Sequence, residues 1–403
     1  MMVQRRTIQL AFAAIAACAL LAGAPASAEG VKIGVLADES GTYADFDGKW
    51  SVEAAKMAIE DFGGSVLGQK IELVDADHQN KVDVATAIAR RWYDAEGVDM
   101  ISDLTLSSVA LAVQQIAAER KKIDIVVSSS TSALTGPACT PYGFHWAYDS
   151  HALAVSTGGA LVKTGADTWF FLTVDYAAGH AMEKDVRSIV EANGGKVLGH
   201  VLFPLNTPDF SSFLLQGQSS KAKIVALAIG GQDVINAIKQ AAEFGIGASG
   251  QRLAATLLTV SEVHGLGLKA AQGSVLTESY YWDLNDRTRE FGERFFKRTG
   301  RMPNMVHAGM YSATLQYLKA VKAAGTKDAD AVAKKLKELP VDDAFTAHGH
   351  VQANGRMVSD VYLFQVKKPS ESKRDWDYYK LIATVPGDTA YPTAADSGCP
   401  LTK

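Results

Sequence analysis

Three short segments contain residue types that could do chemistry, but none has the spacing that the chemistry requires. Two of the segments contain side chains that can coordinate a metal ion. The first has Asp75, Asp77 and His78, and the second has His348 and His350. Neither group is joined by a spaced partner set, so solvated loops at strand ends are the favoured interpretation. A glycine-rich segment at 245–250 fits the dinucleotide-binding pattern, but it follows a predicted helix and precedes a predicted strand, the reverse of the required order. We interpret it as a helix C-cap and loop.

The sequence also lacks the compact motifs of common hydrolases. It contains no G-x-S-x-G nucleophile motif and no H-E-x-x-H zinc motif. Acids and serines are dispersed along the chain, with no spacing that would join them in one catalytic group. An exported hydrolase built from such dispersed residues stays a disfavoured alternative. We therefore expect a protein that is not an enzyme and that needs no cofactor and no metal.

The N-terminus has the pattern of a secretory signal peptide. Arg5 and Arg6 precede an apolar stretch at 8–24, and small residues at 26–28 form a cleavage site. A twin-arginine signal is a disfavoured alternative. No later segment approaches the roughly 20 apolar residues that a membrane-spanning helix needs. We therefore expect residues 1–28 to be removed from a periplasmic protein that does not span the membrane.

Three cysteines occur in the sequence. Residues 15–18 loosely resemble a lipobox, but apolar sequence continues past Cys18 to the better cleavage site. Removal of Cys18 with the signal leaves Cys139 and Cys399 as an even pair in an oxidising compartment. The favoured prediction is a disulfide between them, and two separate buried thiols are the alternative.

The composition is that of an ordinary globular protein. The chain is 47% hydrophobic and 21% charged, and its formal net charge is −4. Disorder is therefore disfavoured. The sequence has no cluster of basic residues, so we expect no nucleic-acid partner. Removal of the leader leaves roughly 375 residues, which is typical of two domains.

Short β-branched runs alternate with longer segments of helical period, which is the pattern of βαβ units. Strands are predicted at 31–36, 71–74, 100–101, 123–127, 169–174, 197–203, 224–229, 253–257, 358–366 and 378–385, and helices include 52–62, 82–93, 288–299, 306–324 and 329–339. Parallel sheets covered by helices on both faces follow from this pattern. Since one such sheet rarely holds so many strands, we predict two α/β lobes with a cleft between them.

The lobe boundaries follow from three extended segments without helical period. These crossovers are predicted at 144–148, 275–282 and 349–355. The N-terminal lobe would then comprise 29–147 and 276–352, and the C-terminal lobe 148–275 and 353–403. We expect the protein to be a monomer.

Several short motifs follow predicted strands or begin predicted helices, and they are spread along nearly the whole mature chain. They are residues 31–36 with Ser40-Gly41, Gly48, Ser128-Ser129-Ser130-Thr131, Asp175-Tyr176 with Gly179, Gly230-Gly231, and Pro303 with Ala308 and Tyr311. In order and spacing they resemble the leucine/isoleucine/valine-binding family, the type I periplasmic binding proteins of ABC importers. Residues 136–139, 280–282 and 397–400 are similar to a subgroup in which many members bind aromatic or related organic acids.

The resemblance implies a two-lobed α/β fold with three crossover strands that closes around a small molecule and delivers it to the importer's membrane subunits. Relatives hold a ligand carboxylate with a hydroxyl and backbone N–H groups at helix N-termini, where free donors and the helix dipole favour an anion. The matching positions are Ser107, Ser108, Ser130 and Thr131. Leu106 occupies the position of the usual hydroxyl, so either Ser107 replaces it or the register shifts by one. Simple helix capping is the alternative role.

The resemblance also implies aromatic residues in the ligand site, because small-ligand pockets are mostly apolar. Phe46, Tyr176 and Tyr281 match family positions that wall the cleft, and Trp282 and His307 are nearby candidates. Core packing is the alternative for all five.

The ligand class is predicted from a missing charge. Amino-acid-binding relatives pair the ligand ammonium with an acid after a strand, where this sequence has Leu257. Asp45, Asp175 or Asp233 would have to compensate, and Asp175 and Gln232 are expected to line the cleft. Because an unpaired buried ammonium costs several kcal/mol, we expect a small carboxylic acid that lacks a positive charge and is aromatic. A branched-chain or other amino-acid or amide binding protein, and a ligand sensor on the same fold, are the alternatives.

Overall fold

The structure is a computed structural model that describes residues 30–246 and 250–403. The predicted signal peptide and its cleavage site lie outside the described residues, and so does part of the glycine-rich segment, at 247–249. Within the described ranges, no helix combines the length and the apolar character that crossing a membrane requires.

The first part of the chain forms the alternating strands and helices that the sequence predicts. Its elements are β1 (Lys32–Ala37), α1 (Gly48–Phe62), β2 (Ser65–Val66), β3 (Gln69–Lys70), β4 (Glu72–Asp77), α2 (Val82–Asp94), β5 (Met100–Asp103), α3 (Ser107–Glu119), β6 (Ile123–Val126) and β7 (Gly143–His145). Five strands pair in parallel in the order β4-β1-β5-β6-β7. The three inner strands are almost wholly buried because helices cover both faces of such a sheet.

The second part repeats this architecture. Its elements are α4 (Ser150–Leu153), α5 (Gly159–Lys163), β8 (Thr168–Val174), α6 (Ala177–Ala192), β9 (Lys196–Phe203), α7 (Ser211–Ser219), β10 (Ile224–Ala228), α8 (Gly231–Glu243), β11 (Arg252–Ala255), α9 (Val260–Leu266) and α10 (Leu268–Ala271). Four strands form a second parallel sheet in the order β11-β10-β8-β9. The predicted pair of parallel sheets is thus present.

The remaining elements complete both lobes. They are β12 (Val275–Glu278), α11 (Asp286–Thr299), α12 (Met305–Ala324), α13 (Ala329–Glu338), β13 (His350–Val351), β14 (Met357–Val358), β15 (Val361–Val366), β16 (Tyr379–Val385) and α14 (Gly387–Ala390). Helix α12 packs along α1, so the chain returns to the first sheet after β12. The lobe boundaries by residue number stay a prediction.

One sheet differs from the expected parallel type. Strands β12, β15 and β16 pair antiparallel in the order β12-β15-β16. No helix lies between β15 and β16. Because a parallel pair needs a crossover connection of a dozen or more residues, usually helical, two strands joined by a loop return antiparallel.

The predicted disulfide is confirmed. Cys139 and Cys399 are bonded, with their Cα atoms 5.7 Å apart and a sequence separation of 260. The bond fastens the C-terminal tail to the loop that follows Ser130 and Thr131.

Candidate functional site

Hydrogen bonds to a buried carboxylate fix the conformation of the loop after β1. Asp38 is fully buried, and it accepts hydrogen bonds from the backbone N–H groups of Gly41 at 2.8 Å and Tyr43 at 2.9 Å. From the other side, the amide of Asn304, which caps α12, donates to the carbonyl of Phe46 at 2.8 Å. These contacts hold Tyr43 and Phe46 at the cleft between the lobes.

An inner cavity is lined mostly by residues that follow the carboxyl ends of strands in the two parallel sheets. The first lobe contributes Tyr43, Phe46, Thr105, Ser128 and Ser130, and the second contributes Tyr176, Ala178, Met182, Gly230 and Leu257. Tyr148, at the end of the first predicted crossover, completes the lining. Among these described lining residues none is charged. The cavity has a volume of about 10 Å³, which is room for about one water molecule. A ring-sized ligand therefore requires the side chains or the lobes to move apart.

The lobes touch each other at the edge of this cavity. The hydroxyl groups of Tyr43 and Tyr176 form a hydrogen bond, and the backbone N–H of Gln232 donates to the carbonyl of Thr42 at 3.0 Å. Gly231 has a φ of +64°, and a Cβ atom built there would lie 2.7 Å from the carbonyl oxygen of Thr42. Only glycine fits this approach without strain.

The polar groups of the inner cavity are mostly engaged with the protein. Tyr148 donates its hydroxyl to the carbonyl of Ser128 at 2.6 Å, and the Thr105 hydroxyl donates to Asp47. Ser128 Oγ and Ser130 Oγ are both buried and have no hydrogen-bond partner among the described residues, but Ser128 Oγ lies against the buried carboxyl group of Asp103. Since a buried unpaired hydroxyl is costly, Ser130 is the group best placed to bind a ligand.

Two helices begin at the inner cavity. Tyr176 immediately precedes α6, and Gly230 immediately precedes α8. The first N–H groups of a helix have no partner within it, and the helix dipole places partial positive charge there. The cavity therefore favours an anionic group, although none of its described lining residues is basic.

Buried acids lie behind the wall of the inner cavity. Asp47 and Asp103 are fully buried, and burial raises the pKa of both, that of Asp103 to about 7. Asp103 also has a φ of +83°, which is unusual outside glycine. Neither residue lines the cavity, so their carboxyl groups do not oppose an anion there directly.

An outer cavity of about 530 Å³ adjoins the inner one and shares Phe46 with it. The loop after β1 lines one side, and residues 206–208, the start of α8 and helix α9 line the other. Both lobes thus contribute to the outer cavity as well.

The structure brings five of the residues expected to bind ligand to these cavities. Phe46, Ser130, Tyr176 and Leu257 line the inner cavity, and Gln232 and again Phe46 line the outer one. Their binding roles stay predictions.

Four others lie beside the cavities without lining them. Ser107 begins α3, and its Oγ lies 2.9 Å from Ser129 Oγ, while Ser108 is half-buried on the same helix. Thr131 caps a short helical turn by accepting from the N–H of Ala133 at 3.4 Å, which is the expected alternative role.

Asp175, the fourth of these, is exposed and lies 2.9 Å from the ring of His180. It therefore does not enter either cavity.

Three aromatic candidates pack elsewhere. The hydroxyl of Tyr281 and the indole N–H of Trp282 both donate to the carbonyl of Trp376, at 3.1 and 3.0 Å. His307 stacks on Phe295 with ring centroids 5.3 Å apart, and burial lowers its pKa to about 3. None of these three residues lines either cavity, and the contacts that the structure shows for them are those of core packing.

Sequence reasoning missed several lining residues. Tyr43 shares the loop of Phe46, and Tyr148 ends the first predicted crossover, so both had a positional signal. Thr105 and Met182 had none, because nothing in their local sequence distinguishes them from other buried residues of α/β units.

Asp77, one of the residue types that could coordinate a metal, instead makes hydrogen bonds within the neighbouring loops. Asp77 accepts hydrogen bonds from Ser40 Oγ at 2.5 Å and the N–H of Glu39 at 3.1 Å. Across residues 30–246 and 250–403, no group of three His, Cys, Asp or Glu side chains has a geometry suited to a metal.

The two-lobed arrangement and its central cleft agree with comparison to known proteins. The sequence pattern of the family described as periplasmic binding protein matches residues 30–373. The chain belongs to the periplasmic binding protein family. A relative named Leu/Ile/Val-binding protein homolog 6, from Brucella melitensis, is 25% identical over 374 residues, which cover 90% of this chain and 94% of the relative.

Solved structures of other periplasmic binding proteins share the fold. A Burkholderia mallei protein is 51% identical, with a TM-score of 0.91 over 94% of this chain and 100% of its own. A branched chain amino acid ABC transporter periplasmic ligand-binding protein from Burkholderia xenovorans is 42% identical, with a TM-score of 0.84, over 93% of this chain and 100% of its own. A Rhodopseudomonas palustris solute-binding protein in complex with benzoate shares the fold at 22% identity and a TM-score of 0.82, over 93% and 100% of the two chains.

These comparisons confirm the predicted family and fold. The family and its structural neighbours are solute-binding proteins of ABC transporters and not enzymes, which removes the hydrolase alternative. The protein is a periplasmic binding protein for a small-molecule ligand. The names of its relatives mention different ligands, so membership of the family does not by itself identify the ligand of this protein.

Proposed function

We propose that this periplasmic binding protein captures a small aromatic carboxylic acid and delivers it to the membrane subunits of an ABC importer. The observation that carries the proposal is an inner cavity without a charged side chain, walled by Tyr43, Phe46, Tyr148 and Tyr176. A ring would pack against these aromatic walls, which favour offset or edge contacts.

The carboxylate of such a ligand would be held by the Ser130 hydroxyl and the N-termini of α6 and α8. Charge-assisted hydrogen bonds of this kind need no basic residue. The ring would displace flexible lining side chains such as Met182, because the cavity as it stands holds only about one water molecule.

An α-amino acid fits the inner cavity poorly. Its ammonium group would lie beside the carboxylate, where Leu257 is buried and none of the described lining residues is an acid. Leaving that cation unpaired costs several kcal/mol. The name of the Burkholderia xenovorans relative nevertheless makes a branched-chain amino acid the second candidate.

Titration calorimetry tests the proposal. Benzoate and cinnamate should bind, whereas leucine and valine should give no heat at the same concentrations. Tight leucine binding together with no response to either aromatic acid would refute the proposal and support the second candidate. Mass spectrometry of the small molecule that copurifies with the exported protein is the independent measurement.

A further inference from the structure

The outer cavity is large enough to hold part of a ligand. Its volume of about 530 Å³ falls within the usual range of about 300 to 1,000 Å³ for small-molecule pockets. It opens beside Phe46, which also lines the inner cavity, so a ligand that passes this ring reaches both.

The outer cavity is acidic where the inner one is uncharged. Asp233 at the start of α8 and Glu262 in α9 line it, and both are buried, with 1% and 4% of their surface exposed. Asp45, the third acid, is exposed and already paired with Arg301 at 3.1 Å. No lysine, arginine or histidine is among the described lining residues.

The hydrogen bonds of these two carboxylates come from neutral donors. Asp233 accepts from the N–H of Asn206 at 2.8 Å, and Glu262 accepts from the N–H of Thr259 at 2.9 Å and from the Thr259 hydroxyl. Such bonds fix the carboxylates without neutralising them. Burial raises the pKa of both groups, that of Asp233 to about 6, so a cation in the cavity would restore full ionisation.

We propose that the outer cavity binds an ammonium group at the end of the ligand remote from its carboxylate. The inference rests on the proposed function, since the carboxylate and ring are taken to occupy the inner cavity. It differs from α-amino-acid binding because the cation lies beyond Phe46, against Asp233 and Glu262, and not beside the carboxylate.

Three probes separate the contributions of the two cavities. Benzoate reports on the inner cavity alone, and 4-(2-aminoethyl)benzoate adds an ammonium group. 4-Propylbenzoate is the control of similar size, in which an uncharged methyl group replaces that ammonium group. We expect the amine to bind the wild-type protein about tenfold or more tightly than the propyl compound.

Amide variants test the two acids. Asp233→Asn and Glu262→Gln keep an acceptor oxygen for Asn206 and Thr259, so folding, checked by thermal unfolding, should be preserved. Each variant should lose most of the amine's advantage over the propyl compound while its benzoate affinity stays unchanged. Asp209→Asn is the matched control, because Asp209 is an exposed acid near residues 206–208 that lines neither cavity.

The outcomes distinguish this inference from the proposed function. If benzoate binds but the amine has no advantage, or keeps it in both variants, the inference is refuted and the function stands. If benzoate fails to bind but the amine binds and needs both acids, the inference and the proposed function both stand, because the amine is itself an aromatic carboxylic acid. If no probe binds, both are refuted.

Discussion

Gly231 should control closure of the two lobes. Alanine at this position would place its Cβ atom 2.7 Å from the Thr42 carbonyl oxygen and 2.7 Å from the Tyr43 ring, both of which belong to the opposite lobe. Backbone oxygen cannot yield as a side-chain end would, so the lobes must stay further apart. We therefore expect Gly231→Ala to weaken ligand binding.

The magnitude follows from the contacts that separation removes. The hydrogen bond from Gln232 to Thr42 and the hydroxyl contact between Tyr43 and Tyr176 would both be lost. At about 1 kcal/mol each, the closed state loses about 2 kcal/mol. If binding is coupled to closure, affinity falls by roughly 30-fold.

Gly245→Ala is the matched control. Gly245 follows α8, has a φ of +68° and has no atom within 4 Å of its would-be Cβ. Both variants suffer the backbone strain of alanine at positive φ, about 1–2 kcal/mol, but only Gly231→Ala creates a clash between the lobes.

Titration calorimetry with benzoate should show the weaker binding, and small-angle scattering should show a larger radius of gyration for Gly231→Ala at saturating benzoate. Equal affinities and equal radii for both variants would refute the reasoning, because strain alone would then account for every effect of the substitution.

Three other predictions concern single features. Ser130→Ala should weaken benzoate binding about 10- to 100-fold by removing a hydrogen bond to a charged group; calorimetry measures this, and a loss as small as that of the exposed control Ser212→Ala would contradict it. Replacing Cys139 and Cys399 by serine should lower the free energy of unfolding by several kcal/mol, up to about 5.5 kcal/mol for a closed loop of 260 residues; urea denaturation tests this, and an unchanged midpoint would count against it. Burial raises the pKa of Asp103 to about 7, so its contribution to stability is present at pH 4 and lost as the pH rises through 7. Asp103→Asn should therefore flatten the decline in the free energy of unfolding over that interval, and an unchanged slope in urea denaturation across pH would contradict the assignment.

Local sequence determined the secondary structure and part of the site. The β-branched runs at β1, β8 and β10 become buried parallel strands because their residues are apolar on both faces, a property that needs no knowledge of distant contacts. Phe46, Ser130 and Leu257 were predicted from the resemblance to the family, because each matches a family position in a segment that follows a strand, and all three line the inner cavity.

Tertiary structure alone decided which aromatic residues meet the ligand cleft. Tyr281 and Trp282 are aromatic residues of the kind that line ligand pockets. Both donate hydrogen bonds to the carbonyl of Trp376, about 95 residues later in the chain, and pack in the core. Tyr43 and Tyr176 are 133 residues apart and meet only because the lobes close. The acidic outer cavity likewise joins the loop after β1 to α8 and α9, and no local pattern encodes which distant segments share a wall.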